Sequence, residues 1–472
     1  MELRRELGLK EVVATVVTSV IGGGLFISTI QIQSKVNVGS SIIISYILAA
    51  FPAFLMALCY AVLSSALPSS GGEYVFVSRI IDPFIGFIST WARWFAMIAT
   101  IAAMAVGDIV LINNFFDIIR LEKISTFIST NIQIIAIMLV ILFFLINYLG
   151  VKIYGKVQTA MFVLLMFGIS LLILFGLQNV SLSNLEYSFH FDMESIAMAS
   201  SLIFFSYIGF AAIANAGDEV KEPEKILPKG ITISMFAIAI AYVAVAVVTY
   251  GSMDPSFYGS YNFSSGSVPE LMANFLPAAI AVYVAFAGSI AIISDINPMM
   301  LATSRLSFAW AKDKIVPERM AELNKFGVPK WSLLVNAVVA IAIIIFAKVF
   351  MNVVMMINMA VLLIYIAISI ATLILPYKHP EIFSKAKYKF AGIWAVALAG
   401  MILSALFFGY ILQLDGAMPG FLFLLAWIGI GGIVYVATME SHKLPWRIYK
   451  EEKKEKERID KEIISQLLKK LK

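Results

Sequence analysis

The chain has 472 residues, of which 61% are hydrophobic and only 14% are charged, and its formal net charge is +5. Soluble domains carry about 25% charged residues, whereas the mean hydropathy of this chain is +0.91. This composition excludes a soluble globular protein. Apolar runs of about 20 residues recur along the whole chain, which is typical of membrane-spanning helices. We therefore expect an all-α integral membrane protein with many spans.

The chain holds a single cysteine, Cys59, and three histidines, His190, His379 and His442. Cys59 lies inside an apolar run, and the histidines lie outside such runs. We therefore expect no disulfide, no disulfide-linked subunit, no metal site and no resident cofactor. The N-terminus shows no small-residue cleavage pattern, so we expect no removable signal peptide. The basic residues lie mainly in loops and in the tail, so the net charge concerns topology and does not predict nucleic-acid binding.

Twelve apolar runs predict twelve transmembrane helices. The runs lie near residues 11–34, 40–67, 84–116, 126–147, 153–178, 195–216, 229–251, 276–309, 331–350, 353–376, 390–412 and 418–438. With the N-terminus inside, the outer segments hold only Lys35, Arg120, Lys123 and Lys348, and Arg93 lies within a span. All other lysines and arginines then lie on the inner side, which is the pattern of cytoplasmic loops. We expect a multi-pass protein of the cytoplasmic membrane with both termini in the cytoplasm.

The first span contains the stretch SVIGGGLFIS, in which Gly22, Gly23 and Gly24 are consecutive. Each glycine costs about 1 kcal/mol relative to alanine inside a helix. The sixth span contains a second interruption, SYIGF, around Gly209. Two interrupted segments at matching positions of two five-span halves indicate the binding site of a secondary transporter. Close packing of helices through small residues is the alternative explanation.

A helix that breaks inside the membrane leaves backbone amides and carbonyls without partners. Each such group costs several kcal/mol in lipid unless it lines a cavity or meets a ligand. Amides at the start of a half-helix attract an anion, and carbonyls at the end of the other half attract a cation. A pair of breaks therefore suits a zwitterion that carries both a carboxylate and an ammonium group.

Four stretches in chain order carry a resemblance to a known family. They are VVTSVIGGGLFIS in span 1, residues 67–91 between spans 2 and 3, residues 204–231 in and after span 6, and residues 295–317 at the end of span 8. The chain resembles the amino acid–polyamine–organocation (APC) superfamily. The resemblance implies a LeuT-like fold with discontinuous helices 1 and 6. It also implies secondary transport of amino acids or related amines by alternating access.

On this resemblance the chain divides into two inverted repeats and additions to them. Residues 11–178 form the first repeat of five spans, and residues 195–376 form the second. Residues 390–438 add spans 11 and 12. Residues 1–10 form a cytoplasmic N-terminus, and residues 439–472 form a charged helix on the same side. That helix is either simply solvated or in contact with anionic lipid headgroups.

The resemblance also implies roles for residues at the two breaks. The substrate carboxylate would contact the backbone at Gly22, Gly23 and Gly24, and the carbonyl of Ile21 would accept from the amino group. In span 6 it implies that the backbone carbonyls of Phe205, Ser206 and Ile208 accept hydrogen bonds from the substrate. The side chains of Tyr207 and Phe210 would line the pocket or form a gate.

The resemblance implies a latch on the inner side as well. There, acids pair with basic residues and hold the cytoplasmic gate shut. The matching acids in this chain are Glu73, Asp218 and Glu219.

Two departures from the family pattern concern what drives transport. Many relatives carry a lysine in span 5 where others bind sodium, and Leu165 stands at that position here. Many relatives carry an acid after the span 6 aromatic, and here that residue is Ala211. We therefore do not expect proton coupling through a span 5 lysine. The coupling ion, H⁺ or Na⁺, stays open, as does exchange without an ion.

Polar residues inside spans are candidates for coupling or gating, because charge is costly in the membrane. Asp108 in span 3 either faces an outer vestibule as a gate or holds the backbone of a neighbour. By the resemblance to sodium-coupled members of the fold, Ser289 and Ser294 in span 8 are candidate oxygens for the ion. Asp295 in the same span either titrates in place of the missing lysine or pairs with a buried amide. Arg93 in span 3 either snorkels or pairs with an acid on the inner side.

The predicted walls of the side-chain pocket are apolar or aromatic. They are Phe26, Met97, Ile101, Phe205, Phe210, Tyr283 and Phe286. Because no carboxylate is well placed among them, they favour a neutral and fairly hydrophobic amino acid over a guanidinium or a second ammonium.

The sequence leaves two other functions open. A cationic amino acid or polyamine, bound with the help of Asp108, is one alternative, and a non-transporting amino acid sensor on the same fold is another. HExxH, GxSxG and Walker motifs are missing from the sequence. We therefore do not expect an enzyme.

Overall fold

A computed structural model describes residues 3–22, 24–118, 121–264, 266–346, 353–414 and 416–438. Gly23 and the predicted helix at 439–472 lie outside these ranges. The helices of the first half are α1 (Leu9–Val20), α2 (Thr29–Lys35), α3 (Ile42–Ala66), α4 (Gly72–Ile80), α5 (Pro83–Ile118), α6 (Glu122–Thr130), α7 (Ile132–Tyr148), α8 (Val151–Gly176) and α9 (Leu182–Tyr187). Those of the second half are α10 (Met193–Phe204), α11 (Pro223–Gly251), α12 (Pro255–Ser260), α13 (Val268–Met272), α14 (Ala278–Lys312), α15 (Lys330–Ile345), α16 (Val353–Lys378), α17 (Pro380–Lys385), α18 (Ile393–Ile411) and α19 (Ala417–Ala437).

Each predicted apolar run corresponds to helical structure in the described part of the chain. Ten helices there are long and apolar enough to cross a membrane, with α1 and α2 taken as one span. The predicted fourth span is bent by 79° between α6 and α7 and would make an eleventh. The ninth, α15, has 16 residues, which is short of the ~20 that a bilayer requires. The multi-pass helical class is confirmed, whereas the count of twelve and the inverted repeat stay predictions.

The two interrupted segments lie inside the bundle. The first segment, α1, packs on α8 and α11, and the second, α10, packs on α3. The long helix α14 runs along α5 and α8. By contrast, α18 and α19 expose large apolar side chains such as Leu406 and Ile433. Such apolar faces suit contact with lipid, and a continuous helix also pairs its own backbone groups, as the membrane interior requires.

Candidate functional site

The first helix ends at Val20, in the middle of the predicted first span. Ile21 leaves the helical conformation with φ −78° and ψ 78°. The Gly22 amide turns back to the Val20 carbonyl oxygen at 2.9 Å. A π-helical turn, Gly24–Ser28, then leads into α2. The predicted interruption of the first span is therefore present.

The second interruption follows α10. A 3₁₀ turn, Phe205–Tyr207, is followed by Ile208 in an extended conformation, and Gly209 has a φ of +133°. A Cβ at Gly209 would lie 1.8 Å from the carbonyl oxygen of Ser19. Only glycine fits this position, because the backbone conformation disfavours L side chains and the second break crosses directly over the end of α1.

A tyrosine from α11 joins the two breaks. The Tyr242 hydroxyl lies 2.8 Å from the carbonyl oxygen of Val20 and 2.7 Å from that of Ser206. Gly24 approaches the same serine so closely that a Cβ on Gly24 would lie 2.6 Å from the Cβ of Ser206. The crossing of the breaks is therefore fixed by the hydrogen bonds of Tyr242 and by the absence of a side chain at Gly24.

A cavity of about 370 Å³ opens between the two breaks and is completed by α5, α14 and α16. Its lining residues are Ser19, Val20, Gly22, Gly24, Ile27, Ser28, Arg93, Thr100, Ala103, Met104, Leu202, Phe205, Ser206, Ile208, Asp295, Met299, Ile357, Asn358 and Val361. The predicted site residues among them are Gly22, Gly24, Phe205, Ser206, Ile208 and Asp295. The structure thus brings the backbone of both breaks to one cavity.

Several predicted residues lie beside the breaks without lining the cavity. The Tyr207 hydroxyl donates to a carbonyl on α3 at 3.1 Å. The ring of Phe210 packs against two buried tyrosines. Fully buried in the hydrophobic core are Ile21, Ile101, Phe26 and Met97. These side chains therefore belong to the packed core and not to the cavity wall.

Tyr283 and Phe286 lie on other faces of α14 than the cavity, which corrects the predicted pocket. The Tyr283 hydroxyl contacts the Leu164 carbonyl on α8 at 3.3 Å, and Phe286 is 38% exposed. Successive residues of an α-helix are rotated by about 100°, so Phe286 lies on the side of α14 opposite to Asp295. A span that is apolar all round carries no polar face from which its rotation can be predicted.

Apart from Asp295, the predicted coupling residues lie away from the cavity. Leu165 is buried on α8, and Ser294 Oγ bonds back to its own helix at 2.9 Å. Within the described part of the chain, Ser289 Oγ and both carboxylate oxygens of Asp108 are buried without a hydrogen-bond partner. Asp108 therefore does not hold the backbone of a described neighbour, and its role as an outer gate stays a prediction.

Gln158 on α8 is a buried polar residue that the sequence reasoning missed. Its side-chain amide donates to Thr18 on α1 and, at 3.0 Å, to a carbonyl on α14. Its oxygen accepts from Asn297 at 2.7 Å, and Asn297 accepts from Asn147 on α7 at 2.7 Å. Gln158 thus joins α1, α8 and α14, and Asn297 extends the network of neutral amides to α7. One sequence feature could have identified Gln158. It lies two helical turns before Leu165, where the family pattern has a lysine, and therefore on the same face of the helix.

Two charged side chains line the cavity. Arg93 on α5 is 2% exposed and Asp295 on α14 is 7% exposed. Arg93 Nε lies 3.6 Å from Glu73 Oε1, so of the two alternatives that the sequence left open for Arg93 the structure has the contact with an acid. The sequence predicted a pocket without a well-placed carboxylate, and the position of Asp295 corrects that prediction.

Two further helix faces that the sequence reasoning missed also line the cavity. Thr100, Ala103 and Met104 follow Arg93 on α5, and Ile357, Asn358 and Val361 belong to α16. On α5 the spacings of seven and eleven residues from Arg93 place Thr100 and Met104 on the same face as Arg93, and Ala103 lies beside them. That spacing could have identified the α5 wall, whereas span 10 offered no polar pattern.

The face of the bundle at which α1 begins, called the N-terminal face below, is closed by polar contacts. Arg305 forms a two-pronged ion pair with Glu219, with distances of 2.8 and 2.6 Å. Asp218 accepts from a backbone amide before α4 at 2.9 Å, and Asn215 donates to Glu73 at 3.2 Å. The three predicted latch acids therefore all have partners across this face.

Broken helices that meet around a central cavity are typical of secondary transporters. Comparison with known proteins agrees with this class. A family model described as amino acid permease matches residues 7–446. The chain belongs to the amino acid permease family, within the APC superfamily, and the resemblance stated above is confirmed.

Three relatives illustrate the range of the family. The methylthioribose transporter of Bacillus subtilis (strain 168) is 26% identical over 453 residues, covering 94% of this chain and 95% of that protein. The branched-chain amino acid permease of the same organism is 25% identical over 460 residues, covering 93% and 94%. A vacuolar protein of Arabidopsis thaliana, cationic amino acid transporter 4, is 26% identical over 407 residues, covering 80% and 64%. All three are transporters and not enzymes.

Proposed function

We propose that the protein carries amino acids across the cytoplasmic membrane by alternating access, with both termini in the cytoplasm. The observation that carries the proposal is one cavity lined by both helix breaks. Gly22 and Gly24 belong to the first break, and Phe205, Ser206 and Ile208 belong to the second. On this proposal the N-terminal face is the cytoplasmic gate. Its ion pairs and hydrogen bonds hold the gate shut in this conformation.

The two breaks supply opposite partial charges to a bound zwitterion. The turn Gly24–Ser28 begins the second half of the first span, and amides at such a start attract the substrate carboxylate. Carbonyls at the ends of α1 and α10 attract the ammonium group. Val20 and Ser206 each accept from Tyr242, and each carbonyl oxygen keeps a second lone pair.

The cavity walls support a neutral substrate. Apolar side chains form much of the cavity wall, namely Ile27, Met104, Leu202, Ile357 and Val361. They support the fairly hydrophobic side chain that the sequence predicts, as does the relative that is named for branched-chain amino acids. Asp295 taken alone would favour a cationic substrate, but Arg93 on the same cavity wall opposes a second positive charge.

Transport into proteoliposomes that contain the full chain tests the proposal. We expect saturable uptake or exchange of a radiolabelled amino acid from a panel of all twenty, with competition by unlabelled neutral amino acids. Liposomes without protein are the control. If the purified protein binds an amino acid but neither takes it up nor exchanges it, the transport proposal fails and a sensor on the same fold takes its place. If the purified protein binds no amino acid, the assignment of the cavity between the two breaks as an amino acid site fails as well.

A further inference from the structure

The cavity is elongated, and its two ends differ in chemistry. Arg93 and Met104 both line it, and their positions on α5 lie about 16 Å apart along the helix axis. Asp295 interacts electrostatically with Arg93, which places both charges toward the same end. The rest of the lining mixes apolar side chains such as Met104 and Leu202 with the neutral polar side chains of Ser28, Thr100 and Asn358. A substrate in this cavity therefore meets a pair of opposite charges toward one end and uncharged side chains elsewhere.

Both charged side chains at this end have hydrogen-bonding atoms without partners. Among the residues that the structure describes, Arg93 Nε and Nη2 have no hydrogen-bond partner, and neither does Asp295 Oδ1. Within the described part of the chain, Arg93 has an ion-pair contact with Glu73 at 3.6 Å and none with Asp295. Buried charged groups without full partners are destabilising. Because both residues also line the cavity, a ligand group held between them there would meet both charges.

The two opposite charges restrict the chemistry of that ligand group. A carboxylate on the substrate side chain would pair with Arg93 but would be repelled by Asp295. An ammonium or guanidinium would pair with Asp295 but would be repelled by Arg93. A neutral group that both accepts and donates hydrogen bonds satisfies the guanidinium and the carboxylate together. Hydroxyl and carboxamide groups have this property, whereas a methyl group neither donates nor accepts a hydrogen bond.

We infer that Arg93 and Asp295 form a subsite for a neutral hydrogen-bonding group, a hydroxyl or a carboxamide, on the side chain of the substrate. The inference rests on the proposed function, because it takes the two helix breaks as the seat of the amino and carboxylate groups. It changes the expected substrate from a fairly hydrophobic amino acid to one with a polar tip. The aliphatic part of that side chain would pack on Val20 and Met299, which also line the cavity.

Pairs of amino acids of similar shape separate this subsite from an apolar pocket. Threonine and valine, and likewise asparagine and leucine, differ mainly in their hydrogen-bonding groups. The initial rate of uptake into proteoliposomes is measured for each of the four radiolabelled amino acids, and each series of rates gives a value of kcat/KM for the full chain. We expect the values for threonine and asparagine to exceed those for valine and leucine by about 10- to 100-fold, because hydrogen bonds to charged groups have this strength.

The outcomes distinguish the inference from the proposed function. Equal or better uptake of valine and leucine overturns the inference and leaves a transporter of hydrophobic amino acids. Uptake confined to charged amino acids also overturns it. If no amino acid of the full panel is taken up or bound, the proposed function fails and the inference fails with it.

A variant at Asp295 tests the subsite directly. Asp295→Leu removes a buried carboxylate that lacks a partner at Oδ1, so the variant is expected to fold, as a melting temperature in detergent at or above that of the wild type will show. We expect the preference for threonine over valine to fall to within about threefold of unity, because the hydrogen bond is lost. Glu194→Gln, at an exposed acid of α10, is the matched control and should keep the preference. A preference that survives in Asp295→Leu overturns the inference.

Discussion

Arg305 on α14 and Glu219, at the end of the second break, form an ion pair in which both side chains are 1% exposed. The Glu219 carbonyl oxygen also accepts the amides of Glu6 and Leu7 at 2.9 and 3.0 Å. One acid thus ties the second break to α14 through its side chain and to the N-terminal segment through its backbone. This contact closes the N-terminal face.

Arg305→Met is expected to destabilise the protein by about 3–5 kcal/mol, because the Glu219 carboxylate stays buried without its partner. Thermal unfolding of the purified full chain in detergent measures the effect. Lys225→Met is the control, since it breaks an exposed pair with Glu222 that solvent screens. An unchanged melting temperature for Arg305→Met would show that the pair does not hold this face closed.

Gly24→Ala is expected to disturb the crossing of the two breaks. Its Cβ would meet the Cβ and Cα of Ser206 at 2.6 and 2.9 Å, and overpacking of this kind costs about 1–3 kcal/mol. We expect amino acid uptake to fall about tenfold or more. Gly432→Ala, at a glycine with open space around it, should transport normally. Normal transport by Gly24→Ala would contradict the close approach of the breaks.

Tyr242→Phe removes the hydroxyl that serves carbonyls of both breaks. We expect a loss of about 1–3 kcal/mol in stability or binding, because the single hydroxyl proton that the two buried carbonyl oxygens share is removed. Tyr365→Phe is a closely matched control, since that tyrosine is also fully buried but its hydroxyl makes no hydrogen bond to any described residue. Melting temperature and amino acid affinity are measured for both variants. Equal behaviour of the two would argue against a role of Tyr242 in joining the breaks.

Uptake is expected to proceed without a proton or sodium gradient. The residue that joins α1, α8 and α14 is Gln158, and a neutral amide does not titrate in the physiological range. Initial rates in proteoliposomes are compared with no gradient, with an inward proton gradient and with an inward sodium gradient. Stimulation of several-fold by either ion would contradict this prediction and would direct attention to Asp295 and Asp108, the acids with unpartnered oxygens.

The sequence by itself determined the class of protein and the location of both helix breaks. Composition decides the class, because a chain with 14% charged residues cannot cover a soluble surface. The breaks are local as well, since consecutive glycines weaken a helix wherever it packs. Motifs around the breaks were sufficient to predict the family, which the match over residues 7–446 confirms.

Only the tertiary structure decided which side chains face the cavity. Arg93 and Asp295 line it, whereas Tyr283 and Phe286 do not. The spans are apolar on every side, so hydrophobic periodicity does not give the rotation of a helix about its axis. That rotation is set by packing between helices far apart in the chain, such as α5 against α14 and α16. The same long-range packing places Gln158, and not Leu165, at the junction of α1, α8 and α14.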